Sequence, residues 1–141
     1  MTAVPQDLVW ADDLSFATNG RPIQIVNDYT IASDVTPLHL VDATADQLDT
    51  IWLKVWNNDV NRHDVVVSIS PATTTGTTDI DAAVVKYQVP EKSWVWILAG
   101  ERLRFTAATT WTVAAYADTS TATAKYLSVT GWILRTTQAA L

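Results

Sequence analysis

The chain contains no cysteine, so neither a disulfide nor a thiolate metal site contributes to it, and its stability has to come from packing or from assembly. Glycine is scarce as well. The four glycines stand alone at positions 20, 76, 100 and 131, which excludes a Gly-rich phosphate cradle. Two histidines and two glutamates leave little material for acid–base chemistry. The nine Lys and Arg are scattered, and the net charge of −6 offers no basic surface of the kind that nucleic acid or an anionic membrane requires. No apolar run approaches the roughly 20 residues that span a bilayer. The first residues lack the basic-then-apolar order of a signal peptide, so the expectation is a soluble chain without an export signal. No segment sustains the 3.6-residue period of an amphipathic helix.

What the 141 residues do contain is alternation. Hydrophobic residues make up 48% and charged residues 17%, so Thr, Ser, Asn and Gln must supply much of the polar surface, a composition that favours strands. The stretch from Trp94 to Trp111 organises the pattern. Val95 and Ile97 alternate with Trp94 and Trp96, and Leu103 and Phe105 alternate with Arg102 and Arg104, so the sequence predicts two strands joined by a tight turn at Ala99, Gly100 and Glu101. Further strands are expected around Ile23 to Ile25, Val35 to Val41, Ile51 to Asn57, Val65 to Ser70, Val84 to Val89, Trp111 to Ala117 and Lys125 to Thr136. The polar cluster Asn57 to Asp64 predicts a hairpin between two of them, and the Thr-rich segment Pro71 to Asp81 predicts a surface loop. Eight or nine strands with turn signals between them point to an all-β fold, an antiparallel β-sandwich of jelly-roll type, with a closed barrel as second choice. Residues 1–22 carry two Pro, an Asp12-Asp13 pair and an Asn19-Gly20 turn signal without a sustained period. They are expected to form an extended N-terminal arm, with residues 23–141 as the sandwich; the alternative is a first strand folded back on its own domain.

Catalytic candidates are few. His63 lies in a polar turn beside Asp64 and reads as a solvated loop residue; His39 stands opposite Leu38 and Leu40 and reads as a surface strand residue. Neither has the setting of an activated nucleophile, and no catalytic residue, cofactor site or metal site is nominated. Asp79 and Asp81 share one side of an extended segment, where a solvated loop is favoured over a cation site. The seven Trp are the unusual feature. Trp52 pairs with Trp56 and Trp94 with Trp96, each pair on the strand face opposite aliphatic residues. They form either part of the core or an apolar patch on an outer sheet face. The second reading makes Trp52, Trp56, Trp94 and Trp96, together with Trp10, candidate interface residues.

From Asp49 to Arg135 the chain resembles small β-sandwich virion proteins of tailed bacteriophages: head-decoration, head-fibre or spike, and tail accessory proteins. The resemblance is carried by Leu53–Asn58 (LKVWNN), Val65–Ser70 (VVVSIS), Trp96–Ala107 (WILAGERLRFTA), Trp111–Tyr116 (WTVAAY) and Val129–Ile133 (VTGWI). It implies a non-enzymatic structural component of a virus particle, made in the host cytoplasm. Such a component binds itself, often as a trimer, and binds a major capsid or tail protein. The alternative from another class is a carbohydrate- or receptor-binding module whose surface Trp and Tyr stack on sugar rings. The two differ in where the aromatics sit, at contacts between chains or in a solvent-open groove beside Asp, Asn or Gln.

Overall fold

Alternating β-branched and aromatic residues resolve into nine strands in a computed structural model that describes residues 8–25, 36–41, 47–71, 84–103, 111–117 and 125–137. They are β1 (Leu8–Asp13), β2 (Ile23–Gln24), β3 (Thr36–Val41), β4 (Gln47–Asn57), β5 (His63–Pro71), β6 (Val84–Val89), β7 (Ser93–Leu103), β8 (Trp111–Ala117) and β9 (Leu127–Thr137). One sheet has the order β1-β9-β4-β7, with β2 also pairing β9; the other has the order β3-β8-β5-β6. All pairs are antiparallel. With β1 and β2 counted as one interrupted strand, the first strand pairs the last, β3 pairs β8, β4 pairs β7 and β5 pairs β6. A long hairpin rolled up on itself produces this nesting, and it defines the jelly roll. The expected all-β antiparallel sandwich is thus the architecture observed.

The core lies between the sheets. Ile51, Leu53 and Val55 of β4, Val65 and Val67 of β5, Val113 and Ala115 of β8 and Leu127, Val129 and Ile133 of β9 are buried there in one cluster. Each large aliphatic residue contributes about 1.5–3 kcal/mol by leaving water. The outer faces differ. On the sheet containing β8, Val66, Ala114 and Tyr116 form a second buried cluster, whereas the outer face of the β4 sheet exposes Trp56, Trp94 and Trp132.

Four expectations are corrected. Residues 8–22 do not stand apart as an arm. Leu8–Asp13 pairs with Trp132–Thr137 over six residues, Leu14 is buried in the core, and the Asn19-Gly20 signal belongs to a 3-10 turn with both residues at positive φ. The stretch around Gly100 is one continuous strand, β7, and not a hairpin. Its register against β4 slips by one residue at Ile97 and again at Gly100, so the positive φ of Gly100, 84°, makes a bulge within the strand instead of a reversal. The first slip also explains why neighbours Ile97 and Leu98 are both buried. Strands β4 and β5 do not pair: the turn between them carries the chain from one sheet to the other. Finally, a bulge between Pro37 and His39 changes the phase of β3, so His39 turns inward with Val41 while Leu40 faces outward. Asp79, Asp81, Arg104 and Phe105 lie outside the described residues.

One contact sets the spacing of the central strands. A Cβ on Gly131 would lie 2.1 Å from the Trp52 carbonyl oxygen, so only glycine fits at this point of the β9–β4 ladder. At Gly100 a Cβ would meet the Trp52 ring at an ordinary 3.7 Å, and the obstacle is the positive φ. Gly131→Ala is therefore expected to cost roughly 3 kcal/mol or more, because backbone must move, and Gly100→Ala about 1 kcal/mol. Urea unfolding of both variants checks the order; equal losses would mean that the strand spacing does not depend on Gly131.

Candidate functional site

The register builds the outer face of the β4 sheet row by row. Side chains directly opposite one another on neighbouring strands touch, and alternate residues share a face. The rows across β9, β4 and β7 read Ser128–Trp56–Trp94, then Thr130–Lys54–Trp96, then Trp132–Trp52–Ala99. Trp52 and Trp132 stack, with centroids 5.5 Å apart and planes 13° apart; Trp96 meets Trp132 edge-on at 5.7 Å and Trp94 edge-on at 6.3 Å; Trp94 and Trp56 lie 6.0 Å apart. Five indoles thus form one continuous surface on a rigid sheet. Lys54 stands among them, its Nζ 4.1 Å from the centroid of Trp94, 4.7 Å from Trp96 and 5.2 Å from Trp56. An ammonium over three indole faces is held by their quadrupoles. Trp56 is fixed further, since its indole N–H donates to Thr130 Oγ1 at 2.8 Å.

Of the five expected interface residues, Trp52, Trp56, Trp94 and Trp96 meet on this face. Trp10 does not join them. It pairs with Arg135, which pairs in turn with Asp49, and that row belongs to the inward side of the sheet. The residues that the sequence reading passed over are Trp132, Lys54 and Thr130. Trp132 follows Gly131 on a strand whose pairing partner is invisible in the sequence, so only the β9–β4 register reveals it as the partner of Trp52.

A second constellation corrects the reading of the histidines. His39 is 1% exposed, and its Nε2 lies 2.8 Å from Asp49 Oδ2. On the other side the Ser15 backbone N–H donates to Nδ1 at 3.1 Å, and Ser15 Oγ lies 2.8 Å from the same nitrogen. A backbone N–H can only donate, so Nδ1 is the acceptor, and the ring proton sits on Nε2 and points at Asp49. Arg135 closes the chain with two bonds to the Asp49 carboxylate, at 2.8 and 3.0 Å. Serine, histidine and aspartate in this order have the connectivity of a hydrolytic triad. Three backbone N–H groups beside Ser15 and His39 are, however, engaged within the fold. The N–H of Phe16 bonds Leu38 O, that of Ala17 bonds Leu14 O, and that of Leu40 bonds Ser15 Oγ itself. The arrangement acts as a polar strut, joining the segment after β1 to β3 in one sheet and to β4 and β9 in the other.

His63 is likewise no solvated loop residue. It begins β5, is 7% exposed, stacks on Tyr126 at 6.3 Å, and its Nε2 lies 2.7 Å from Asp59 Oδ2. That hydrogen bond outweighs the effect of burial and holds the Asp59 carboxyl below its ordinary value. Asn57 organises the same turn. Its Nδ2 donates to the carbonyls of Asn61, Val89 and Pro90, and its Oδ1 accepts from the Asp59 N–H.

Burial pushes the Asp49 carboxyl up, but the hydrogen bonds from Arg135 and His39 overcome it and leave the group below its ordinary value. An aspartate depressed in the folded state stabilises the fold fully above its unfolded pKa of about 3.9 and loses that contribution as pH falls through the folded value. Stability is therefore expected to drop below about pH 4. Asp49→Asn should flatten that drop and cost about 3 kcal/mol near neutrality, the low end for a broken buried pair because Arg135 keeps some access to water. Thermal unfolding of both proteins between acid and neutral pH measures this; parallel curves would show that Asp49 is not the titrating group.

No family model and no curated protein sequence matches the chain. Among solved structures it is similar to a chain of Desmodium yellow mottle tymovirus at 12% identity, with a TM-score of 0.45 over 100% of this chain and 91% of that one. It is also similar to a chain of infectious bursal disease virus, Gx strain, at 9% identity, with a TM-score of 0.43 over 95% of this chain. This chain spans 32% of that second protein. Neither likeness is close enough to carry an argument, and the jelly-roll assignment rests on the strand order.

Proposed function

We propose that this protein is a non-enzymatic structural component of a virus particle that works by self-association through the Trp face of its β4 sheet. The observation that carries the proposal is the continuous, rigid surface of Trp52, Trp56, Trp94, Trp96 and Trp132. Soluble monomers rarely expose an apolar surface of this kind, and Trp is among the residues most enriched where binding energy concentrates. The alternative route to assembly, edge-to-edge strand pairing, is hindered at β7. Among the described residues β7 pairs with β4 alone, and its two bulges interrupt the straight geometry that a further strand would need. The face is the better surface.

Lys54 favours one mode of association over another. A two-fold axis through the centre of the face would bring Lys54 of one copy against Lys54 of the next, and like charges in a drying interface repel. A cyclic or lattice contact sets the face against a different surface of the neighbour, which for a chain of net charge −6 is acidic on balance. This supports a trimer or a site on a larger lattice. The resemblance to tailed-phage virion proteins extends the reading to a capsid-decoration protein or the base of a head spike or fibre, with a major capsid or tail protein as partner.

Trp132→Ala is expected to weaken assembly by roughly 2–4 kcal/mol, as at an interface hot spot, while unfolding of the separated chain changes by less than about 1 kcal/mol. Trp52→Ala should weaken assembly similarly and cost the fold somewhat more, since the Trp52 ring also covers Gly100. Sedimentation across a concentration series, paired with unfolding of the same variants, separates the two effects. A wild-type chain that stays monomeric at micromolar concentration, alone and with purified particles, would refute the proposal.

A further inference from the structure

At the end of the Trp face, where β4 runs out and β7 begins, an open cleft of about 240 Å³ is lined by Trp56, Asn57, Asn58, Lys92, Ser93 and Trp94. Its construction differs from that of the flat centre of the face. Two exposed indoles, tilted by 45° to each other, form its apolar walls. Its polar side comes from two turns tied firmly together. Asn57 bonds across to Val89 and Pro90, the Asn58 N–H bonds Tyr126 O, and the Lys92 N–H bonds Asp59 O. Lys92 is held at a positive φ of 50°, a conformation that side chains other than glycine rarely adopt. The hydrogen bond from Trp56 to Thr130 locks one wall, so the cleft is formed before anything enters it.

Its charge is unusual for this protein. Lys92 Nζ donates to Asn58 O at 2.7 Å and makes only a long contact, 3.4 Å, with Asn58 Oδ1, so the ammonium keeps donor capacity in hand. Lys54 stands against the same two indoles from the next row. Among the described residues neither lysine is paired with a carboxylate, although acidic residues outnumber basic ones by fifteen to nine over the whole chain. The acidic neighbours in sequence do not supply one: Asp59 is turned to His63, and Glu91 bonds neither lysine.

We propose that this cleft binds a single pyranose ring bearing a carboxylate, a sugar acid. One apolar face of the ring lies on Trp94 or Trp56, its hydroxyls meet Asn58 and Ser93, and its carboxylate takes the Lys92 ammonium. The volume falls just below that of drug-sized sites, which suits one ring and not a flat aromatic ligand with extensions. Indole faces accept the C–H side of a sugar, and an ammonium that no carboxylate among the described residues neutralises selects an acidic sugar over a neutral one. The cleft shares Trp56 and Trp94 with the face proposed for assembly, so a neighbouring copy and the sugar compete for those two walls, while the stacked Trp52–Trp132 pair lies outside the cleft.

Calorimetric titration of the full chain with galacturonic acid and N-acetylneuraminic acid, with galactose as the neutral control, tests this, together with the indole N–H resonances of Trp56 and Trp94. At least one acid should bind in the millimolar range and shift those two resonances, and galactose should bind about tenfold more weakly. Lys92→Gln should weaken the acid about tenfold and leave galactose unchanged. Trp132→Ala, which perturbs assembly but not the cleft, should retain the acid. Equal binding of acid and neutral sugar would overturn the role of Lys92, binding by the wild type that is lost in Trp132→Ala would move the site elsewhere, and no heat or shift with either acid up to ~10 mM in both the wild type and the assembly-weakened Trp132→Ala would dispose of the proposal.

Discussion

The ladder between β4 and β9 is the constraint on which the rest of this molecule depends. It runs over eleven residues, from Gln47–Thr137 to Asn57–Leu127, and Gly131 permits its closest approach, against the Trp52 carbonyl. Its inward side delivers Ile51, Leu53, Val55, Val129 and Ile133 to the core and sets Asp49 opposite Arg135. Its outward side sets Trp52 on Trp132 and Lys54 beside Thr130. Core, strut and aromatic face are two sides of one ladder, so a slip of one residue would exchange them and destroy all three.

The polar strut and the aromatic face make different demands on that ladder. Ser15, His39, Asp49 and Arg135 form a linear relay of hydrogen bonds between the sheets, with every group oriented by the next. Such a network specifies one arrangement of the sheets more than it adds net stability, because burying its charges costs nearly as much as pairing them returns. The aromatic face has the opposite character. It carries apolar surface that folding leaves in water, a cost tolerated where another surface eventually covers it. Lys54 keeps one charge in the middle of it, held by the rings. That charge disfavours indiscriminate sticking without abolishing the apolar attraction.

Bulges decide much of the local detail. In β7 the extra residues at Ile97 and Gly100 let a single strand bury Ile97, Leu98 and Leu103 while Trp94 stays on the outer face. In β3 a bulge before His39 brings an imidazole into the interior next to Val41. All three bulges break strict alternation at the point where a strand changes what it presents. The glycine at 100 was visible as punctuation, but a positive φ serves a turn and a bulge equally well. Only the presence of a pairing partner along both halves of β7 distinguishes them.

The sequence by itself determined the fold class and the place of most strands, because side-chain alternation is a local property and survives in one dimension. Val84–Val89 and Trp111–Ala117 could be read directly, and so could the pairing of Trp52 with Trp56 on one strand face, since residues four apart on a strand must share a side unless a bulge intervenes. Tertiary structure alone decided which strands are neighbours. It separated β4 from β5 into different sheets, joined β1 to β9 across more than a hundred residues, and brought Trp132 to Trp52 and Ser15 to His39 and Asp49. It also separated Trp10 from the other Trp by placing it on the inward side of its strand. The physical reason is that hydrogen-bonded pairing carries no residue code: a strand of this composition can pair with any other, and the choice is made by the burial of both sheets at once.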